Sequence, residues 1–337
     1  MSSASPALAL GVAFIAALVA VFVARRIAER AQLLDVPNER SSHKTAVPRV
    51  GGIGLLAGVA VGLLMTPEVL RDWWPALAGA LALSVVGLVD DVRGLPARVR
   101  FLLQFLVCVG FVSVQPLPHS ISIVNIELQL GWLSYPLYAL FLMWMLNLFN
   151  FMDGIDGLAG SQLAASAVFF WLTATGSLSL LGVLLLGAAL GFLVWNWPRA
   201  KVFMGDVGST SLGFLLGAMA LHAAPQVPLV ASMLVLLPFV FDATFTLLRR
   251  AKEKRRVWEA HRSHIYQLPQ SWGTSNTRVL GVELLFLAFQ LALALLYWKI
   301  DRDAFRWSIV VISLSSAALI SVKVLRYARK HGHGVRW

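Results

Sequence analysis

The chain has 337 residues, of which 58% are hydrophobic and only 13% charged, and its formal net charge is +11. A soluble domain carries about a quarter charged residues, so too few polar side chains exist here to cover a water-facing surface, and lipid must cover part of it. The one cysteine, Cys108, lies in an apolar run; it excludes a disulfide framework and a thiolate metal cluster and reads as a small packing residue.

In chain order, apolar stretches fall at about 7–24, 50–66, 75–89, 101–114, 133–151, 157–175, 178–195, 209–223, 227–248, 279–298 and 307–325. They predict an all-α polytopic membrane protein of about 11 transmembrane helices. The first stretch lacks a basic leader and is followed by Arg25 and Arg26, so it is expected to remain as a helix. After the fourth, the run Ser120-Ile121-Ser122-Ile123-Val124-Asn125-Ile126-Glu127-Leu128 alternates and predicts a small β-hairpin. No internal repeat, low-complexity tract or linker divides the chain. Residues 1–337 are therefore expected to form one integral-membrane domain, with loops at 25–50, 90–100, 147–160, 196–209 and 249–278.

The basic residues orient it. Of the 28 Lys and Arg, 24 fall in alternate connections, within 25–49, 93–100, 199–201, 249–278 and 323–336; only Arg71, Lys299, Arg302 and Arg306 fall in the others. Cytoplasmic loops of membrane proteins carry the Lys and Arg excess, so the N-terminus and the hairpin are expected to be periplasmic and the C-terminus cytoplasmic. The basic surplus is then explained by orientation, and nucleic acid is not expected as a partner.

Only 17 Asp and Glu occur. Asp90 and Asp91 end the third stretch, Asp153 and Asp156 the fifth, and Asp206 follows the seventh, all on the expected cytoplasmic edge. Carboxylates at membrane depth are costly and face a partner, a cavity or an ion. Five in Gly-containing segments on one face point to a shared polar site. Oxygen ligands without thiols select a hard cation, Mg²⁺ with Mn²⁺ as a substitute. Lys44, Arg98, Arg100, Lys201, Arg249, Arg250, Arg262 and His264 on the same face suit phosphate oxygens. Asp242, inside the ninth stretch, reads as a structural hydrogen-bonding group, and Asn147 as a span-end amide.

Five segments carry a resemblance. They are Asp35-Val-Pro-Asn-Glu-Arg40 through His43, Pro48 and Gly51-Gly52; Gly87-Leu-Val-Asp90-Asp91; Asn147-Leu-Phe-Asn150-Phe-Met-Asp153-Gly-Ile-Asp156-Gly-Leu158; Asn196 through Lys201-Val-Phe-Met-Gly205-Asp206-Val-Gly-Ser209; and His261-Arg-Ser-His264-Ile-Tyr266-Gln267. In this order they resemble the polyprenyl-phosphate N-acetylhexosamine-1-phosphate transferases, glycosyltransferase family 4. The resemblance implies Asp206 and Asn150 as Mg²⁺ ligands, and Asp90, Asp91, Asp153 and His264 as the catalytic set. It implies Lys44, Arg100, Asp156, Asn196, Phe203 and Arg262 as substrate-binding residues, with Phe203 stacked on uracil and Asn196 and Asp156 along the uridine pocket. The substrates it implies are a UDP-linked N-acetyl amino sugar and undecaprenyl phosphate, met at the cytoplasmic face of the inner membrane, and it allows a homodimer.

The histidine loop departs from the family's triple-histidine form, so no role for a second histidine after His264 is implied. Its form here resembles the subgroup that begins O-antigen chains with N-acetylfucosamine or a related 6-deoxy sugar. Two other classes match the residues less well. A cation-coupled transporter places its carboxylates near mid-bilayer on broken helices, whereas these lie at one face. The CDP-alcohol phosphotransferases need Asp-Gly-x-x-Ala-Arg, which Asp156-Gly157-Leu158-Ala159-Gly160-Ser161 does not supply.

Overall fold

A computed structural model of the chain describes residues 5–35, 46–256 and 261–331. Within these, every predicted apolar stretch carries a helix. Four precede the hairpin: α1 (Pro6–Arg30), α2 (Gly51–Leu63), α3 (Pro67–Arg93) and α4 (Ala97–Val114). Then follow α5 (Ser134–Met152), α6 (Leu158–Thr173), α7 (Gly176–Asn196), α8 (Gly205–Ala223), α9 (Leu229–Val235), α10 (Leu237–Lys252), α11 (Asn276–Lys299) and α12 (Asp303–Lys330).

Among the described residues seven helices are long and apolar enough to cross a bilayer alone, and eight if α9 and α10 count as one broken span. The chain is a multi-pass, all-α membrane protein. Two predicted spans, α2 and α6, are shorter helices of 13 and 16 residues. The stretch drawn as one span over 227–248 is divided, its two helices meeting at 80°. Pro238, in the first turn of α10, has no N–H for the preceding turn, and its ring excludes a continuous helix; the break falls at Leu236.

Small residues let the helices approach closely. On α1 the buried stripe is Ala9, Ala13, Ala17, Val21 and Ala28, facing α2 and α7. A Cβ added to Gly58 of α2 would lie 2.5 Å from that of Ala17. Such small-residue contacts substitute for the hydrophobic drive that lipid removes between membrane helices. Large apolar side chains instead look outwards, among them Ile15, Leu81, Phe101 and Leu285. Helix α8 packs against α3 and α5 and is buried along almost its whole length.

The hairpin forms as expected, β1 (Ser120–Ile123) pairing antiparallel with β2 (Ile126–Gln129) around the two-residue turn Val124-Asn125. It lies at the opposite end of the bundle from the loops that follow α3, α5, α7 and α10. Those four loops converge at the other end, tied by hydrogen bonds.

Candidate active site

The site is organised around the first turn of α8, whose leading N–H groups have no partner within the helix. Asp91 supplies it from α3: its Oδ2 accepts from the N–H of Asp206 at 2.9 Å and of Val207 at 3.3 Å. This cap needs α3 almost in contact with the α8 backbone. Gly87 permits that, because a Cβ there would meet the Asp206 carbonyl carbon at 2.5 Å. On the other side Gly51 and Gly52 of α2 donate to the carbonyls of Phe203 and Met204 at 2.9 and 2.8 Å. Gly52 also lies too close to Gly208 for any side chain. Gly51, Gly52, Gly87 and Gly208 are thus packing devices that hold Asp206 in place.

Around Asp206 the side chains form a linked set. Asn150, near the end of α5, donates through Nδ2 to Asp206 Oδ1 at 2.9 Å and to Ser209 Oγ at 2.8 Å. Arg100 of α4 pairs with Asp90 Oδ2 at 2.5 Å and approaches Asp206 Oδ2 at 3.7 Å. The remaining Asp90 oxygen accepts from the N–H of Leu95 at 2.6 Å. Asp153 caps α5 and is half-buried. Burial first, and the Asp206 carboxylate second, hold its carboxyl well above the usual carboxylate range, with Arg49 acting against them. One guanidinium thus spans Asp90 and Asp206, while a second, Arg49, lies on the Asp91 and Asp153 side and pairs with Asp35 at 2.8 Å. Asp35, Arg49 and Asp91 line a cavity of about 460 Å³ between α1, α2 and α3.

The expected uridine-pocket residues have other engagements here. Asn196 is buried, its Oδ1 accepting from the N–H of Gly157 at 2.9 Å and its Nδ2 donating to the Val202 carbonyl at 2.8 Å. Asp156 Oδ2 accepts from the N–H of Ala200 at 3.0 Å. Both side chains therefore tie the loop before α6 to the loop before α8. Phe203 is half-buried on that second loop, its N–H bound to the Pro48 carbonyl at 2.9 Å. Lys201 lies over the Trp195 ring, 5.8 Å from its centroid. Lys44 and His43 lie outside the described residues.

The histidine loop docks on the same end through a residue read only as structural. Asp242 of α10 accepts four hydrogen bonds. His264 Nδ1 at 3.2 Å, the Ile265 N–H at 2.9 Å and Thr246 Oγ1 at 3.0 Å share Oδ1, and the Tyr266 N–H reaches Oδ2 at 2.9 Å. Tyr266 Oη donates to the Phe151 carbonyl at 3.0 Å, joining the loop to the turn that carries Asp153. The His261 ring lies 4.8 Å from that of His264. Burial first, then the neighbouring His264, Arg250 and Arg249, push its pKa down to about 3. Arg262 donates to Gln270 Oε1 at 2.8 Å. Arg249 and Arg250 are buried rather than displayed.

Sequence reasoning left Arg49, Ser209 and Tyr266 without roles. Each had a signal, since all three fall within or beside a quoted segment. Asp242 had only its burial within an apolar stretch.

As a metal centre the donor set is oxygen-only. Among the described residues no three Asp, Glu, His or Cys side chains converge closely enough to hold a metal by themselves. That fits Mg²⁺, which keeps several waters and uses one or two carboxylates plus substrate phosphate rather than an all-protein cage. Asp206 and Asn150 each carry an oxygen donor, Asn150 facing Asp206 here through its Nδ2.

The model for glycosyl transferase family 4 matches residues 73–224, which run from α3 to the end of α8 and include every carboxylate around Asp206. The chain is 31% identical over 280 residues to the probable undecaprenyl-phosphate N-acetylglucosaminyl 1-phosphate transferase of Bacillus subtilis (strain 168), covering 79% of this chain and 78% of that protein. It is 31% identical over 301 residues to the undecaprenyl-phosphate alpha-N-acetylglucosaminyl 1-phosphate transferase of Yersinia pestis, covering 84% and 80%. A phospho-N-acetylmuramoyl-pentapeptide-transferase of Synechococcus sp. (strain JA-3-3Ab) is 34% identical over 208 residues, 56% of this chain and 60% of that one. With this similarity spread over the helices that build the Asp206 site, the chain belongs to glycosyl transferase family 4, the polyprenyl-phosphate N-acetylhexosamine-1-phosphate transferases.

Proposed function

We propose that the protein transfers an N-acetylhexosamine 1-phosphate from its UDP derivative to undecaprenyl phosphate, at the cytoplasmic face of the inner membrane, to begin a surface polysaccharide such as O-antigen. The observation that carries this reading is the Arg100 bridge between Asp90 and Asp206, beside Asn150, at one end of an apolar bundle. Carboxylates for a metal and a guanidinium for phosphate, at a membrane edge, suit a nucleotide sugar meeting a lipid phosphate. The relatives' names supply the lipid and the amino-sugar class. The form of the His261–Gln267 loop favours a 6-deoxy amino sugar such as N-acetylfucosamine.

In this reaction an oxygen of the lipid phosphate attacks the β-phosphorus of the UDP-sugar. The bond from that phosphorus to the oxygen bridging the α-phosphate breaks, and UMP leaves with the electron pair. Asp206 and Asn150 would hold Mg²⁺, which would supply charge neutralisation for the diphosphate. The chain's own work is positioning. Arg100 draws a phosphate to the Asp90–Asp206 edge, Arg49 balances the Asp91 side, and Phe203 offers a ring to the base. A lipid phosphate with a second pKa near 6 is already mostly a dianion at pH 7, so Asp90 is not required as a base and serves to orient Arg100 and the nucleophile. A two-step route through a phosphorylated Asp206 would consume the chief metal ligand and ranks below direct attack.

The test is purified protein with undecaprenyl phosphate and a panel of UDP-amino sugars. UMP should appear in step with a lipid diphosphate sugar, stop in EDTA and resume with Mg²⁺ or Mn²⁺. Full turnover in chelator removes the metal from the account. A reporter fused after Trp337 should read cytoplasmic, and one before Met1 periplasmic.

A further inference from the structure

Asp242 is a carboxylate inside a membrane helix, one of the costliest places for a charge. It is 7% exposed, yet accepts one side-chain and two backbone hydrogen bonds from a loop more than twenty residues downstream. A buried group that served only its own helix would need no donors from that loop. We propose that Asp242 is a positioning residue for phosphoryl transfer, fixing the His264 ring and its loop so that Nε2 is the nitrogen offered to the substrate diphosphate. The inference rests on the transferase reading above.

Three observations carry it. A carboxylate is acceptor-only, so the His264 nitrogen facing it at 3.2 Å carries a proton, which settles that Nδ1 is engaged and Nε2 is not. Among the described residues Nε2 makes no hydrogen bond. The same carboxylate holds the next two residues by their backbone, so ring and loop cannot shift independently. The loop is then referenced to the reaction end: Tyr266 Oη bonds the Phe151 carbonyl, and Gly154 lies so close to that hydroxyl that a Cβ would collide with it. The His264 ring lies 6.0 Å from the Phe151 ring, one residue beyond Asn150. A carboxylate that orients a histidine from behind is a recurrent device in hydrolase and metal sites, and its loss costs about 10–100-fold at metal sites and about 10⁴-fold in kcat in the serine-hydrolase triad.

The experiment is a double-mutant cycle on UMP release by the full-length enzyme in Mg²⁺. Asp242→Asn keeps size and can still accept from the Tyr266 N–H, but it can offer an N–H to Nδ1 and reverse the tautomer, giving up the Ile265 bond. We expect kcat to fall about 10–100-fold, with the KM for the UDP-sugar within about threefold. Combined with His264→Ala, the double variant should be no slower than His264→Ala alone, because Asp242 acts through that ring. Asp242→Glu, which keeps the charge, should recover part of the loss. Losses that multiply, or an Asp242→Asn enzyme with full kcat, overturn the proposal. A fully active His264→Ala overturns it too, since Asp242 then has nothing to act through. If Asp242→Asn does not accumulate in membranes, the cycle is run with Asp242→Glu under the same criterion. Wild-type protein that releases no UMP overturns the transferase reading instead.

Discussion

The two ends of the bundle handle acidic residues in opposite ways. At the end carrying Asp206, carboxylates are buried or half-buried and four are answered from another element: Asp90 by Arg100, Asp91 by the α8 backbone, Asp156 by Ala200, Asp242 by the histidine loop. At the hairpin end, Asp72 pairs with the adjacent Arg71, both side chains largely exposed, and Asp301 is 98% exposed beside Arg306. Exposed pairs of this kind contribute about 0–1 kcal/mol, whereas a buried carboxylate costs several unless it is partnered. Burial of charge with partners drawn from other helices and loops is what marks a working end. Mere presence of charge does not.

The largest effect should separate the ends outright. Asp206→Asn should lower transfer by about two or more orders of magnitude while the protein still inserts, because charge stabilisation of a phosphoryl group is lost. Asp72→Asn, at the other end, should stay within about twofold of wild type. Comparable losses from both would erase the distinction drawn here, and rates from UMP release on protein matched for membrane content decide it.

A smaller effect tests whether the loop before α8 also holds the nucleotide. Phe203 is two residues past Lys201 and three before Asp206, and a base stacked on its ring is worth about 1–3 kcal/mol. Phe203→Ala should raise the KM for the UDP-sugar roughly 5- to 150-fold with kcat much less affected, and Phe203→Tyr should keep most of the affinity. The KM for undecaprenyl phosphate should barely move. A variant that loses thermal stability with unchanged nucleotide affinity would make Phe203 a packing residue.

The smallest effect is a pH dependence confined to the reaction end. His261 has its folded-state pKa lowered to about 3, so folding opposes its protonation. The unfolded chain protonates it near 6.5. Stability from the neutral ring is therefore complete above about pH 6.5 and is lost as pH falls through that value towards 3. Melting curves between pH 7.5 and 5 should show wild type losing roughly a few degrees more than His261→Gln. Parallel losses would place the acid sensitivity elsewhere.

Much of this was legible in the sequence because its signals are strong. Long apolar runs predict helices wherever they occur, and the Ser120–Leu128 alternation gave the hairpin with its turn at Val124-Asn125. The break at Leu236 was missed because apolarity runs straight across it; only Pro238 marked it. The site's membership followed from Asp, Asn and Gly in quoted segments, but their division of labour did not. Asn196 and Asp156 read as uridine-pocket residues, and the structure adds bonds from both to backbone that the sequence does not signal, since an amide or carboxylate can serve either purpose. Arg49 was lost among the basic residues that set orientation. Asp242 read as a structural hydrogen-bonding group and is one, but a lone aspartate in an apolar run gives no hint of the loop, twenty-two residues on, that it holds.

The central claim is that the bond broken lies between the two phosphorus atoms, at the Asp206 end, and not at the sugar carbon. UDP-sugar labelled with ³²P at the β-phosphate tests it directly. With undecaprenyl phosphate and Mg²⁺, the label should pass into the lipid fraction and the released nucleotide should be unlabelled UMP. Label retained in released UDP would mean transfer of the sugar alone and would contradict the account.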